Sequence, residues 1–232
     1  MKYKIKKISG DASFREFYRL KKGKSSSILV RSRKENYINL ILYSAINEIL
    51  IKNKIAAPKL LKEYFKDNMM EITDLGDKSF TEIVNNSKNK IYPLKKLIDV
   101  LINFQKIKPK PKFRFKGRII KIKKYSISKM TQESDLFFDW YLLHSKNIKN
   151  FTKAKKLIRN TLMKVYRKLH YENNTLTHKD FHAANIMLYK KKPYLIDSQD
   201  AVLGNPLYDV ASLIDDVRLK IPINVLFPFY LL

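Results

Sequence analysis

The sequence predicts an α+β fold of two lobes, a small antiparallel sheet carrying one helix and then a mainly helical lobe. Three observations carry this expectation. The first 75 residues alternate short β-favouring runs with clusters of turn residues. A single apolar stripe at 3.6-residue spacing interrupts those runs. Beyond Gly76 the apolar spacing becomes helical and stays so for about a hundred residues.

Residues 3–8, 14–20 and 27–32 read as strands. Residues 9–13 (SGDAS) and 21–26 supply the turns, so the three strands form two hairpins in succession. A helix is expected over 36–53, where Ile38, Ile41, Leu42, Ala45 and Ile49 share one face and Pro58 ends the pattern. Strands at 60–65 and 69–73, turned by Lys66, Asp67 and Asn68, complete a five-stranded antiparallel sheet. In the second lobe Leu94, Leu97, Ile98, Leu101 and Phe104 define an amphipathic helix. Residues 109–117 read as a loop and 135–145 as a second helix. Ala154, Leu157, Ile158, Thr161, Leu162, Val165 and Leu169 mark a third. Two strands follow at 186–189 and 194–196. Asn205 and Pro206 open a last helix, with proline at its first position.

Composition removes several classes of function. The chain has 232 residues and no cysteine, which excludes disulfides, thiolate metal sites and cysteine nucleophiles. Its five glycines never lie closer than Gly10 and Gly23, so neither a G-x-G-x-x-G turn nor a P-loop can be built. Four histidines are too few and too scattered for an obvious zinc site. Lys+Arg number 48 against 21 Asp+Glu, a formal charge of +27. The excess is mostly lysine spread along the whole chain, which reads as a solvated surface and not as a nucleic-acid or membrane patch. No leader pattern follows Met1 and no apolar run approaches a membrane span, so a cytoplasmic protein with neither nucleic-acid nor membrane partners is expected. Oligomeric state is left open.

One segment carries chemistry. Residues 177–185 (THKDFHAAN) contain H-x-D-x-x-x-x-N, and Asp197 follows twelve residues later at a strand end. That is the order of a kinase catalytic loop and its metal-binding aspartate. In such a site one aspartate accepts the proton of the acceptor hydroxyl. An asparagine five residues on and the strand-end aspartate hold Mg²⁺ against the phosphates of ATP. Asp180 is therefore the expected base, with His178 bracing the loop beside it, and Asn185 and Asp197 are the expected metal ligands.

With these residues in place the chain resembles the aminoglycoside phosphotransferase and choline kinase group of small-molecule kinases. Within that group it is most similar to bacterial kinases that phosphorylate the anomeric hydroxyl of N-acetylmuramate and N-acetylglucosamine. Residues 10–15 (GDASFR), 72–76 (ITDLG), 136–141 (LFFDWY) and 195–201 (LIDSQDA), with Tyr208 and Asp209, carry the resemblance. It implies a two-lobed protein-kinase-like fold, ATP and Mg²⁺ as cofactors, and a small-molecule acceptor, most of all an amino sugar. Choline, an aminoglycoside or another metabolite is the alternative acceptor, and a non-catalytic nucleotide- or nucleic-acid-binding protein is the alternative class. Residues 1–75 then cover the nucleotide, and 76–232 supply catalysis and the acceptor site. The resembled kinases continue with more helices, so the chain is also expected to be short or truncated at its C-terminus.

Further roles follow from position. Residues 10–13 lie where a loop covers phosphate, so Ser13 is a candidate contact. Arg31 on the third strand is the expected phosphate cation, and Glu48 is either its helical partner or a simple exposed helical glutamate. Residues 71–75, including Glu71 and Asp74, are expected to form an adenine hinge that reads the base through backbone groups. Glu133 and Trp140 suit a sugar-facing wall, a carboxylate for hydroxyls and an aromatic face for C–H surfaces. Asp200 belongs to the resembled family's I-D-F-Q-D-A signature and is a candidate for metal or substrate. Ser198 stands where that signature has an aromatic residue. Asp209, in the first turn of the last helix, reads as structural.

Overall fold

A computed structural model describes residues 4–8, 15–32, 37–145, 148–168 and 173–226. Strands β1 (Lys4–Ile8), β2 (Arg15–Lys22) and β3 (Ser25–Ser32) pair as successive antiparallel hairpins. Helix α1 (Tyr37–Lys52) follows, then β4 (Leu60–Tyr64) and β5 (Met69–Thr73). The sheet order is β1-β2-β3-β5-β4, so the helix crosses over and β5 inserts beside β3. The expected five-stranded sheet is present, with ends shifted by one or two residues.

Helix α1 is apolar nearly all round, and the packing explains why. Leu40 and Tyr43 join Ile28, Val30, Met70 and Ile72 beneath the sheet. Ile41 and Ala45 meet Phe115 and Ile120. Ile46 and Leu50 enter the large core of the helical lobe, with Phe80, Leu97, Phe104 and Phe181. One helix thus stitches three apolar clusters together, so an amphipathic stripe would have left two of them unfilled.

The helical lobe contains α2 (Phe80–Asn86), α3 (Ile91–Gln105), a hairpin of β6 (Lys112–Phe115) and β7 (Arg118–Lys121), α4 (Ile127–Leu136) and α5 (Phe151–Lys168). The hairpin corrects the loop expected over 109–117. Pro109 and Pro111 sit just outside the first strand, and the Lys116-Gly117 turn has both residues at positive φ (49° and 75°), the geometry that tight hairpins favour. The second helix starts earlier than expected because Ser126 caps it, accepting from the Lys129 N–H at 3.2 Å. It then widens into a π-helical turn over Phe137–Leu142. Leu169, at the end of the expected third helix, lies outside the described residues.

Four short strands close the lobe: β8 (Thr175–Thr177), β9 (Ile186–Tyr189), β10 (Lys192–Leu195) and β11 (Val202–Gly204). β9 pairs with β10, and β8 with β11. At the β8–β11 contact a Cβ on Gly204 would lie 2.9 Å from Thr177 Oγ1, so only glycine lets the strands approach this closely. Helices α6 (Pro206–Ile214) and α7 (Ile223–Leu226) complete the order. Asn205 caps α6, accepting from the Leu207 N–H at 2.7 Å. Among the described residues no helix is long and apolar enough to cross a membrane.

Candidate active site

A cleft of about 740 Å³ opens between the sheet and the helical lobe. Its roof is apolar, made of Ile28 and Val30 from β3 and Met70 and Ile72 from β5; Met187 and Ile196 lie on the opposite side. Its back edge is the connection Thr73–Asp77, and its inner wall carries Asp180, Asn185, Asp197 and Asp200.

The wall is held by carboxylates that sequence reading assigned only in part. Asp209, fully buried at the start of α6, accepts the backbone N–H of His178 at 2.7 Å and of Lys179 at 2.9 Å. Burial pushes its carboxyl up to about 6, against the two N–H bonds that favour the charge. Asp216 accepts from Ala183 N–H at 3.3 Å. His178 is also fully buried. Its Nε2 lies 3.0 Å from the Ile196 carbonyl, so that nitrogen carries the proton and donates. Burial lowers its pKa, and its ring packs edge-on against Phe104 and Phe181. His178 does not line the cleft; its ring bonds the backbone and braces the loop beside Asp180.

Asp180 itself is open to the cleft. His182 Nε2 lies 3.4 Å from its Oδ1 and, first among the causes, holds the Asp180 carboxyl below the usual range. Asn185 donates its amide to the Asp180 backbone carbonyl at 3.0 Å, which turns its Oδ1 away from the loop. Asp197 adopts a left-handed backbone (φ 65°), and Lys179 another (φ 74°). Of the two, Asp197 lines the cleft, and a non-glycine residue held in this region is what over-determined functional sites show. Ser198, in place of an aromatic, is buried and donates to Asn47 Oδ1 of α1 at 2.7 Å. A hydrogen bond thus does the anchoring that packing would otherwise do.

Other expected residues lie elsewhere. Cleft-lining positions on β3 are Ile28, Val30 and Ser32, so the intervening Arg31 points to the opposite face. Its side chain is 61% exposed and 4.0 Å from Glu16. Glu48 is exposed on α1 and pairs with Lys52, not with Arg31. The expected Arg31–Glu48 pair is therefore corrected by strand parity. Glu71 also faces the outer side, where Ser27 donates to it at 2.7 Å and Lys62 lies 3.1 Å away. Burial pushes its carboxyl up, but these partners outweigh that and leave it lowered. Asp74 does reach the cleft edge, fixed by Arg19 at 2.8 Å, Ser26 at 2.5 Å and Gly76 N–H at 2.9 Å.

Glu133 is 2.5 Å from Lys179 Nζ and accepts from the Tyr125 hydroxyl. Trp140 is 75% exposed on the π-turn. Neither lines the cleft, so the structure does not bring the expected sugar wall to Asp180. Asp200 does line it, accepting from Gln199 at 2.9 Å. Ser13 lies outside the described residues. Arg15 was not singled out in the sequence, yet its guanidinium reaches Asp197 Oδ1 at 2.5 Å and Gln199 Oε1 at 2.9 Å. His182 was also passed over. Its signal was the second histidine of the H-x-D-x-H run.

Among the described residues no three His, Cys, Asp or Glu side chains converge. Asn185 and Asp197 nevertheless offer hard oxygen donors to one cleft. This suits a cation that takes one or two protein donors and fills its shell with water and phosphate oxygens.

The family model described as the phosphotransferase enzyme family matches residues 4–226. An N-acetylmuramate/N-acetylglucosamine kinase of Pseudomonas putida is 26% identical over 221 residues, covering 92% of this chain and 60% of its own length. One from Neisseria meningitidis is 22% identical over 215 residues, with 91% and 61% covered. The chain thus spans about 60% of the length of these relatives. Among solved structures, an ADP-bound aminoglycoside phosphotransferase superposes with a TM-score of 0.68 at 14% identity, over 98% of this chain and 77% of the other. A choline kinase from Streptococcus pneumoniae gives 0.65 at 13% identity, over 97% and 73%. These likenesses establish the protein-kinase-like fold.

Proposed function

The chain belongs to the phosphotransferase enzyme family, and we propose that it moves the γ-phosphoryl group of ATP to a hydroxyl of a small molecule, the anomeric hydroxyl of an amino sugar. The observation that carries the reading is the convergence of Asp180, Asn185 and Asp197 on one wall of one cleft. The relatives named as N-acetylmuramate/N-acetylglucosamine kinases, at 22–26% identity, support the acceptor class.

The chemistry assigns each group a task. The apolar roof of Ile28, Val30, Met70 and Ile72 takes a purine ring, and the Thr73–Leu75 backbone flanks its edge. Asn185 and Asp197 would hold Mg²⁺, which when bound neutralises charge on the phosphates. Asp180 accepts the proton of the acceptor hydroxyl as that oxygen bonds to the γ-phosphorus and the bond to the ADP oxygen breaks. Its lowered pKa keeps it ionised at neutral pH. Positioning and electrostatics supply most of the rate, since little covalent chemistry falls to the protein.

The test is ADP release from ATP with N-acetylmuramate, N-acetylglucosamine and their methyl glycosides as acceptors. The free sugars are expected to turn over, and the glycosides, whose anomeric oxygen is blocked, are not. Equal rates with the glycosides would refute anomeric transfer. Turnover of choline or an aminoglycoside alone would move the acceptor to that class. Glu133 argues against a cationic acceptor beside α4, because Lys179 already occupies its carboxylate.

A further inference from the structure

The roof of the cleft is uncharged, yet a nucleotide brings three or four negative charges to a wall that already carries Asp180, Asp197 and Asp200. Some cation must offset them. No lysine lines the cleft among the described residues, and the arginines that do are Arg15, Arg19 and Arg218. Arg19 is clamped at the back edge between Asp74 and Asp77, at 2.8 Å from each. Arg218 is 3.0 Å from the buried carboxylate of Asp216. Both charges are matched by acids outside the catalytic wall.

Arg15 differs from both in what it touches. It opens β2, and its guanidinium spans the cleft from sheet to helical lobe with only 13% of the side chain exposed. The Phe17 ring lies 5.8 Å away on the same strand. Its contacts include Asp197, the expected metal ligand, and Gln199, two residues on. A cation held by Asp197 would bring the phosphates it neutralises near this carboxylate. The guanidinium is therefore already where those oxygens arrive, and its planar fork matches two of them at once.

We propose that Arg15, at the start of the second strand, is the phosphate-binding cation of the cleft. It replaces a charge on β3, whose cleft-facing residues Ile28, Val30 and Ser32 carry none. In this structure it rests on Asp197 and Gln199. With nucleotide bound, the phosphate oxygens take up its N–H donors. The assignment rests on the nucleotide-binding reading above and adds the residue that recognises the phosphates.

Calorimetric binding of ADP with Mg²⁺, of ADP without it and of adenosine separates the possibilities without using turnover. Arg15→Gln keeps a polar side chain of similar reach and removes the charge. It is expected to weaken ADP by about 10–100-fold, the size of one or two charge-assisted bonds. Adenosine affinity should stay within about threefold, because no phosphate is present. Arg15→Lys should recover part of the ADP affinity. Arg31→Ala, altered on the far face, should match the unaltered protein. Equal weakening of ADP and adenosine, or a lowered melting temperature with no selective loss of ADP, would make Arg15 a strut between the lobes and overturn the proposal. So would an unchanged ADP affinity in Arg15→Gln, or a selective loss in Arg31→Ala. If the unaltered chain binds adenosine and ADP not at all, the nucleotide-binding reading itself fails instead.

Discussion

Replacing Asp209 by alanine tests how the catalytic wall is held. The carboxylate is fully buried and accepts two backbone N–H groups, from His178 at 2.7 Å and Lys179 at 2.9 Å. Alanine strands both donors, at ~1–3 kcal/mol each. It also removes a carboxyl whose burial disfavours its charge. The rise from the ordinary 3.8 to about 6 amounts to roughly 3 kcal/mol against the ionised form. The two effects oppose each other at neutral pH, so the net loss at pH 7.5 is expected to be no more than ~3 kcal/mol. For a chain of this size that lowers the melting temperature by at most ~12 °C. The sign of the pH dependence follows from the raised folded-state pKa. Between about pH 6 and pH 4 the folded protein holds a proton on Asp209 that the unfolded chain has released. That contribution is complete below the unfolded value and is lost as pH rises through about 6. Asp209→Ala lacks it, so its deficit should widen by ~1 kcal/mol from pH 7.5 to pH 5. Urea unfolding of both proteins at the two pH values measures this, and other carboxyls largely cancel in the difference. A deficit that stays constant or narrows on acidification would refute the assignment of that proton to Asp209.

Two further outcomes bear on the site and its frame. Asp180→Asn should leave the melting temperature and ADP binding nearly unchanged while lowering kcat by on the order of 10²–10⁴, the range for a lost general base; near-normal turnover would remove Asp180 from proton transfer. Gly204→Ala places a methyl group 2.9 Å from Thr177 Oγ1 and should destabilise by ~1–3 kcal/mol. Adding Thr177→Ala removes that oxygen and should return part of the loss, which a double-mutant unfolding cycle reads directly.

The grouping on the cleft wall was legible because the proposed chemistry dictates both residue type and spacing. Asp180, Asn185 and Asp197 stand together in the cleft as their sequence pattern implies. The sheet was legible from its alternating runs and turn clusters. What escaped was direction. Residues 28–30 of β3 are all apolar, so the sequence does not say which parity faces the cleft, and Arg31 turned out to face away. Arg15 carried the same charge but needed the tertiary fold to meet Asp197, 182 positions along the chain. Trp140 sits on a π-turn, whose extra residue per turn re-aims side chains in a way that 3.6-residue counting misses. The β6–β7 hairpin was hidden by flanking prolines, although Lys116-Gly117 was its turn signal. The brace from Asp209 to the loop has no local signature, because it joins residues 30 or 31 positions apart.

Helix α1 bears on how activity can be governed. Kinase folds are commonly switched by swinging a helix of this kind toward or away from the metal-binding loop. Here such a swing would tear Leu40, Ile41, Ile46 and Leu50 from three separate apolar clusters at once. It would also strand the buried Ser198 hydroxyl, now bonded to Asn47. Each buried aliphatic side chain alone is worth ~1.5–3 kcal/mol, so the combined cost rivals the ~5–15 kcal/mol that holds a whole domain folded. The helix is a keystone and not a lever. An effector of this protein would therefore have to act through some element other than α1.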